Sequence, residues 1–323
     1  MKSILVAVVL LASGVIAEAQ KPTRVPRIGF LFAPPASALA ARVEGFRQGL
    51  RELGYVEGKN IIIEFRSAEG KPERLNELAA ELVRLKVDLI VTAGSSDTRA
   101  AKKATDTIPI IMGQDTDPVG SGFVASLARP GGNITGLATY APELSGKQLE
   151  LLKEIVPKLS RVAFIGNSSN PGDAQTLRET VLATGVYKIF LAYLDVQNTK
   201  DIEPAFKAAA KERAEAILVT GNPVVNSQRQ QVIDLVTKLR IPASYGRPEF
   251  IESGGLMYYG TNYVELFRRA ATYVDKILKG TKPAELPVDQ PKKFELVINL
   301  TAAKKIGVTI PQWTLMKADR VIK

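Results

Sequence analysis

The sequence predicts an α/β protein of two Rossmann-like lobes, each built on a parallel sheet, joined by a hinge. Three observations predict it. Short apolar runs alternate with helix-periodic segments from Arg27 onward. Their strand-to-strand spacing, roughly 20–33 residues, suits βαβ units, whose crossovers take a dozen residues or more. The pattern then starts again near Ser145, where Arg161–Ile165 (RVAFI) has the character of the opening run Arg27–Phe32 (RIGFLF). A chain of 323 residues has room for two such cores.

Arg27–Phe32 is a buried strand because its apolar residues run without alternation between Pro26 and Pro34. Leu39, Val43, Phe46, Leu50 and Leu53 recur at helical spacing, and Gly54 ends that helix. Further strands are expected at Ile61–Phe65, Asp88–Thr92, Ile108–Met112 and Asn133–Thr139. Helices are expected around Leu75–Val83, at Arg99–Ala104 and near Val119–Leu127. In the second half, Ser145 and Gln148 form a capping box that opens a helix to about Lys158. Strands follow at Arg161–Ile165, Lys188–Leu194, Ala216–Thr220, Ile241–Tyr245 and Leu256–Tyr259, with a helix at Val224–Leu239. A long helix from about Asn262 to Leu278 carries Val264, Phe267, Ala271, Val274 and Leu278 on one face. Pro283 and Pro287 break the chain before a last strand at Phe294–Leu300. The expected division is a leader at 1–19, a first lobe of 20–138 plus about 262–323 as a crossing segment, and a second lobe of 139–261.

The leader is read from Lys2, the apolar run Ile4–Ile16 and the cleavage triplet Ala17-Glu18-Ala19. The run is too short for the roughly 20 residues that span a bilayer. A mature start near Gln20 and no stable membrane insertion are therefore expected. The chain has no cysteine, so there is neither a disulfide nor a lipid anchor at the cleavage site. Together these predict a freely diffusing periplasmic protein. Histidine is also absent, which removes Ser-His-Asp hydrolysis and most transition-metal sites. The formal charge of +10 is scattered over helical faces, as at Arg42, Arg47, Arg51, Lys102 and Lys103. No basic run interleaves with aromatics, so this charge is read as solubility and no nucleic-acid partner is expected. No cofactor or metal is expected, and the chain is expected to be a monomer.

Ligands of open parallel sheets bind beyond the carboxyl ends of the strands, where helix N-termini also point. The candidate binding residues are those that follow the strands. Ser37 lies after the first strand, and Gly94, Ser95 and Ser96 after the third. The serine hydroxyls suit an oxyanion, although N-capping alone also explains them. Asp115 and Asp117 follow the fourth strand and could hold an ammonium. Asp117 before Pro118 is also an ordinary helix cap. Asn167 and Asn170 in the second half, Asn222 and Tyr245 complete the set, with Tyr245 as a stacking face. Glu249 is read as a solvated acid and the lone Trp313 as packing. Neither G-x-G-x-x-G nor a P-loop is complete.

Three ordered blocks carry a resemblance. The first runs from Asp117-Pro118-Val119-Gly120-Ser121-Gly122 to Ser126-Leu127-Ala128-Arg129-Pro130-Gly131-Gly132-Asn133-Ile134-Thr135-Gly136. The second is Glu252-Ser253-Gly254-Gly255-Leu256-Met257-Tyr258-Tyr259-Gly260. The third is Arg268–Ala271 with Tyr273–Gly280, followed by Phe294–Leu300. They resemble type I periplasmic substrate-binding proteins of ABC transporters, within them the tryptophan/tyrosine-type sub-family. The resemblance implies two lobes with several hinge crossings, and a permease and its ATPase as partners. The expected function is capture of a small carboxylate-bearing ligand, an amino acid with an aromatic one favoured, and no catalysis. The rival readings are a cleft enzyme using carboxylate or Lys chemistry, a binding protein for sugars or other carboxylates, and a sugar-repressor core. The last should carry a helix-turn-helix where the leader stands.

Overall fold

The structure is a computed structural model and describes residues 24–139, 143–291 and 293–323. The expected leader at 1–19 lies outside the described residues.

The first lobe alternates strands and helices as the spacing requires. It contains β1 (Arg27–Phe32), α1 (Ala36–Glu52), β2 (Ile62–Ser67), α2 (Leu75–Arg84), β3 (Leu89–Thr92), α3 (Ser95–Ala104), β4 (Ile110–Met112) and β5 (Ile134–Gly136). The sheet order is β2-β1-β3-β4-β5, and every pair is parallel. β1, β3 and β4 are buried along almost their whole length, which is why their residues are apolar without alternation. The helix expected near Val119–Leu127 is absent. The Pro118 carbonyl accepts from the N–H groups of Phe123 and Val124, and Gly122 takes φ +70°, so the segment closes as turns.

The second lobe holds α4 (Glu143–Ile155), β6 (Arg161–Gly166), α5 (Pro171–Tyr187), β7 (Phe190–Asp195), α6 (Ile202–Lys211) and β8 (Ala216–Val219). It continues through α7 (Pro223–Ser227), α8 (Arg229–Leu239), β9 (Ala243–Tyr245), α9 (Glu249–Glu252) and β10 (Met257–Thr261). The helix expected at Val224–Leu239 is thus two helices, broken at Gln228. α4 begins two residues before Ser145, so that serine does not cap it.

After β10 the chain returns to the first lobe. α10 (Tyr263–Leu278) packs along α1, which approaches closely because Gly45 and Gly49 face it. A Cβ at Gly49 would stand 2.1 Å from the Arg268 carbonyl oxygen. The chain then runs beside β5, where Leu137 bridges Asp289, and crosses again. β11 (Phe294–Asn299), α11 (Leu300–Ile306), α12 (Gln312–Met316) and β12 (Arg320–Ile322) all belong to the second lobe. Its sheet order is β12-β11-β10-β9-β8-β6-β7, with β11 antiparallel to β10.

This corrects the expected division of the chain. The segment from about 262 is expected whole in the first lobe, but only α10 and the run to Asp289 lie there. The open edge of β10 accepts β11, whose Leu296, Val297 and Ile298 are buried. Three crossings therefore join the lobes, and two of them touch, since Thr261 Oγ1 donates to the Thr139 carbonyl at 3.2 Å.

Candidate functional site

The carboxyl ends of the two sheets face each other across a cleft of ≈ 660 Å³. First-lobe walls come from the loop after β1, the start of α3 and the end of β4. Second-lobe walls come from the starts of α5 and α7 and the loop after β9.

Of the residues singled out in the sequence, Ser37, Gly94, Ser95, Ser96, Asn170 and Asn222 line this cleft. Asn170 caps α5 by accepting from the Asp173 N–H, and Asn222 caps α7 by accepting from the Val225 N–H. The other four do not line it. Asp115 is buried, and its Oδ1 accepts from the Asp117 N–H at 2.9 Å. Burial pushes its carboxyl up to about 6, against the Ser95 hydroxyl that holds it down. Asp117 Oδ1 accepts from the Gly120 N–H at 2.8 Å and faces a separate, smaller cavity beside Gln175. Asn167 Oδ1 is spent on the Ser169 N–H and hydroxyl. Tyr245 is 1% exposed and lies stacked on Phe250, so it offers no face to a ligand. The alternation of β9 decides this: Tyr245 points into the core between sheet and helix.

The charged groups of the cleft are ones the sequence reading passed over. Asp97 is the third residue of α3, fully buried at the cleft wall. Burial pushes its carboxyl up to about 7, opposed by hydrogen bonds from the Ser96 hydroxyl and from the Ala93 and Ala33 backbone, and by the charge of Arg247. Asp173 is the third residue of α5 and lies on the opposite wall. It accepts from the Asn167 N–H, Thr220 Oγ1 and Asn222 Nδ2, each at 2.8 Å, and burial still raises its pKa.

Arg247, just after β9, acts on both acids. Its Nε donates to the Gly221 carbonyl at 3.2 Å. A Cβ at Gly221 would stand 2.5 Å from Arg247 Cγ, so only glycine leaves the arginine this path. The guanidinium lies 5.1 Å from the centre of the Tyr263 ring, and that of Arg42 lies 4.5 Å from the same ring. Arg42, on α1, also ion-pairs with Glu249 of α9, which ties the two lobes across the cleft. Burial, with Arg247 nearby, pushes Arg42 down to about 10. Glu249 is therefore a cleft residue and not a solvated acid. The arginines gave no local signal, since one was a helix-face charge among several. Asp97 and Asp173 directly follow the small-residue runs Gly94-Ser95-Ser96 and Asn170-Pro171-Gly172, and that adjacency is the signal in the sequence that could find them.

Two facing lobes, several crossings and a charged cleft between strand ends define a two-lobed solute-binding protein of type I architecture. Residues 35–322 match the family described as ABC transporter substrate binding protein, and the chain belongs to that family. A "Tyrosine-binding protein" of Clostridioides difficile (strain R20291) is 28% identical over 265 residues, covering 82% of this chain and 76% of that protein. The structure of an ABC domain from Streptococcus pneumoniae in complex with L-Trp superposes with a TM-score of 0.84 at 26% identity, covering 93% of this chain and 100% of that one. A conserved domain protein from Vibrio cholerae superposes with a TM-score of 0.84 at 29% identity, covering 92% and 100%.

Proposed function

We propose that the chain captures a zwitterionic α-amino acid in the interlobe cleft and delivers it to an ABC permease driven by its ATPase, without chemical turnover. The observation that carries this reading is the placement of opposite charges on opposite walls: Asp97 on the first lobe and Arg247 on the second, within each other's electrostatic reach. An amino acid entering between them gives its ammonium to Asp97 and its carboxylate to Arg247, through charge-assisted hydrogen bonds. Each end of the ligand thus engages a different lobe, and the closed form is favoured because only it makes both contacts.

An aromatic side chain suits the apolar part of the wall, where Pro34, Pro35, Leu144 and Tyr259 lie. The relatives named for tyrosine and bound to L-Trp support the same choice. No helix among the described residues is long and apolar enough to cross a membrane. Export to the periplasm through the leader at 1–19 is part of the proposal and rests on Lys2, the apolar run and Ala17-Glu18-Ala19.

A thermal-shift screen of amino acids, other carboxylates and sugars tests the ligand class, since a ligand of the folded state raises the melting temperature. Aromatic amino acids are expected to give the largest shifts. Shifts with sugars alone would overturn the proposal.

A further inference from the structure

Two contacts join the lobes across the cleft, away from the hinge crossings. The first is the ion pair of Arg42 and Glu249. Arg42 is buried and held by its own lobe: its Nη1 donates to Gln114 Oε1 at 3.3 Å, and its guanidinium lies over the Tyr263 ring. Glu249 reaches it from the second lobe. The other contact is steric. Gly172, the second residue of α5, faces Thr116 of the loop after β4, and a Cβ at Gly172 would stand 2.7 Å from both Cβ and Cγ2 of Thr116. Gly172 has no positive φ, and a helix favours alanine over glycine. The glycine is therefore required by the opposite lobe and not by its own backbone. The two contacts lie apart. β3 separates the strands behind Arg42 and Thr116, and β8 separates those behind Glu249 and Gly172.

We infer that these contacts stabilise the closed form without any ligand, with Arg42 and Glu249 as the latch and Gly172 as the position where any side chain holds the cleft open. Both contacts are made between protein groups, so their free energy is present whether the cleft is filled or empty. The ion pair supplies the attraction. Arg42 is already oriented by Gln114 and Tyr263, so little side-chain freedom is lost when Glu249 arrives. Gly172 and Thr116 supply the stop, because helix backbone and side chain meet there in direct contact. Two separated contacts, with the crossings as axis, fix one angle between the lobes. A ligand then supplies only the remainder of the closure free energy, and its apparent affinity scales with the fraction of chains already closed. Gly172 lines neither cavity, so its effect on capture passes through the lobe angle. It is a positioning residue, and the inference stands whichever solute the cleft takes.

Spin labels on Glu73→Cys and Gln230→Cys, at exposed positions of the two lobes, test it in the ligand-free chain from Gln20 onward. The chain has no other cysteine, so these two sites alone take the label. Dipolar spectroscopy between the labels is expected to show a short, closed distance with no ligand added. Glu249→Gln should lower the closed fraction about tenfold or more, because Arg42 is left buried without its anion. Gly172→Ala should lower it as much with unchanged circular dichroism, since alanine suits the helix. Adding Thr116→Gly to Gly172→Ala should restore the closed distance, because it removes the two carbons that the new Cβ meets. A variant that merely disturbs α5 would not be rescued from the other lobe. A ligand-free wild type without the closed distance would overturn the inference. So would a closed fraction that survives either single substitution, or a double variant that stays open.

Discussion

The two lobes solve one structural problem with the same residue and put different charges in the cleft. Each lobe must hold together the loops that leave neighbouring strands. The first uses Asp97, whose carboxylate takes N–H groups from the loops after β1 and β3. The second uses Asp173, which ties the loop after β6 to the one after β8. Both are the third residue of a helix, where the dipole favours a carboxylate. The difference lies in what surrounds them. The first lobe adds small residues and hydroxyls around Asp97, and the second adds Arg247. Both acids line the cleft and both are buried, so what separates them is the set of neighbours each clasp brings with it.

The largest effect should come from the group on which both lobes depend. Arg247→Ala should lower amino-acid affinity about 100-fold or more by calorimetry, as expected when one partner of a desolvated charge pair is removed. A change below tenfold would show that the carboxylate sits on Ser95 and Ser96 instead.

Asp97→Asn should reduce affinity for an amino acid by about 30-fold while reducing that for its deaminated analogue far less. Asp173→Asn should act mainly on the fold, lowering the melting temperature, because its Oδ2 accepts from three partners that join two loops. If the two substitutions exchanged these phenotypes, the roles of the lobes would be reversed.

A pH series sharpens the same contrast. The carboxyl of Asp97 keeps its proton in the fold up to about 7, against 3.8 as the ordinary value. The folded form therefore holds a proton that the unfolded chain has lost, and this contribution to stability is full below pH 3.8 and lost as pH rises through 7. The melting temperature of the ligand-free protein should fall between pH 5 and 8, with Asp115 adding to the slope up to about 6. Amino-acid affinity should run the other way, rising by up to about tenfold per unit below pH 7, because the ammonium needs the ionised acid. Asp97→Asn should flatten both trends.

The fold was legible because it is written in periodicity. β1 and β6 carry apolar runs of the same character, and the helices between strands follow the 3.6-residue repeat. The home of β11 was not legible, because a lone strand after a linker carries no mark of the edge it joins. The loops that line the cleft were found by the strand-end rule, yet four of ten chosen side chains point elsewhere. The reason is local. Asp115, Asp117 and Asn167 satisfy their own turns, and Tyr245 falls on the buried side of β9. Trp313, read as packing, is 59% exposed on α12. The arginines were missed because their partners are remote in sequence: Arg42 meets Glu249 more than 200 positions away.

The smallest predicted effect tests that lesson. Tyr245→Phe should change affinity less than about twofold, within the range of substitutions that touch no functional feature. Tyr263→Ala should cost about tenfold, since it removes the ring that both cleft arginines cover.

The central claim is that the two charges of an amino acid are divided between the lobes. Calorimetric titration of the wild-type protein with L-tyrosine, its decarboxylated amine and its deaminated acid tests it most directly. The claim predicts that L-tyrosine binds and that each analogue, missing one charge, binds at least about 100-fold more weakly. Equal affinity for L-tyrosine and either analogue would contradict it.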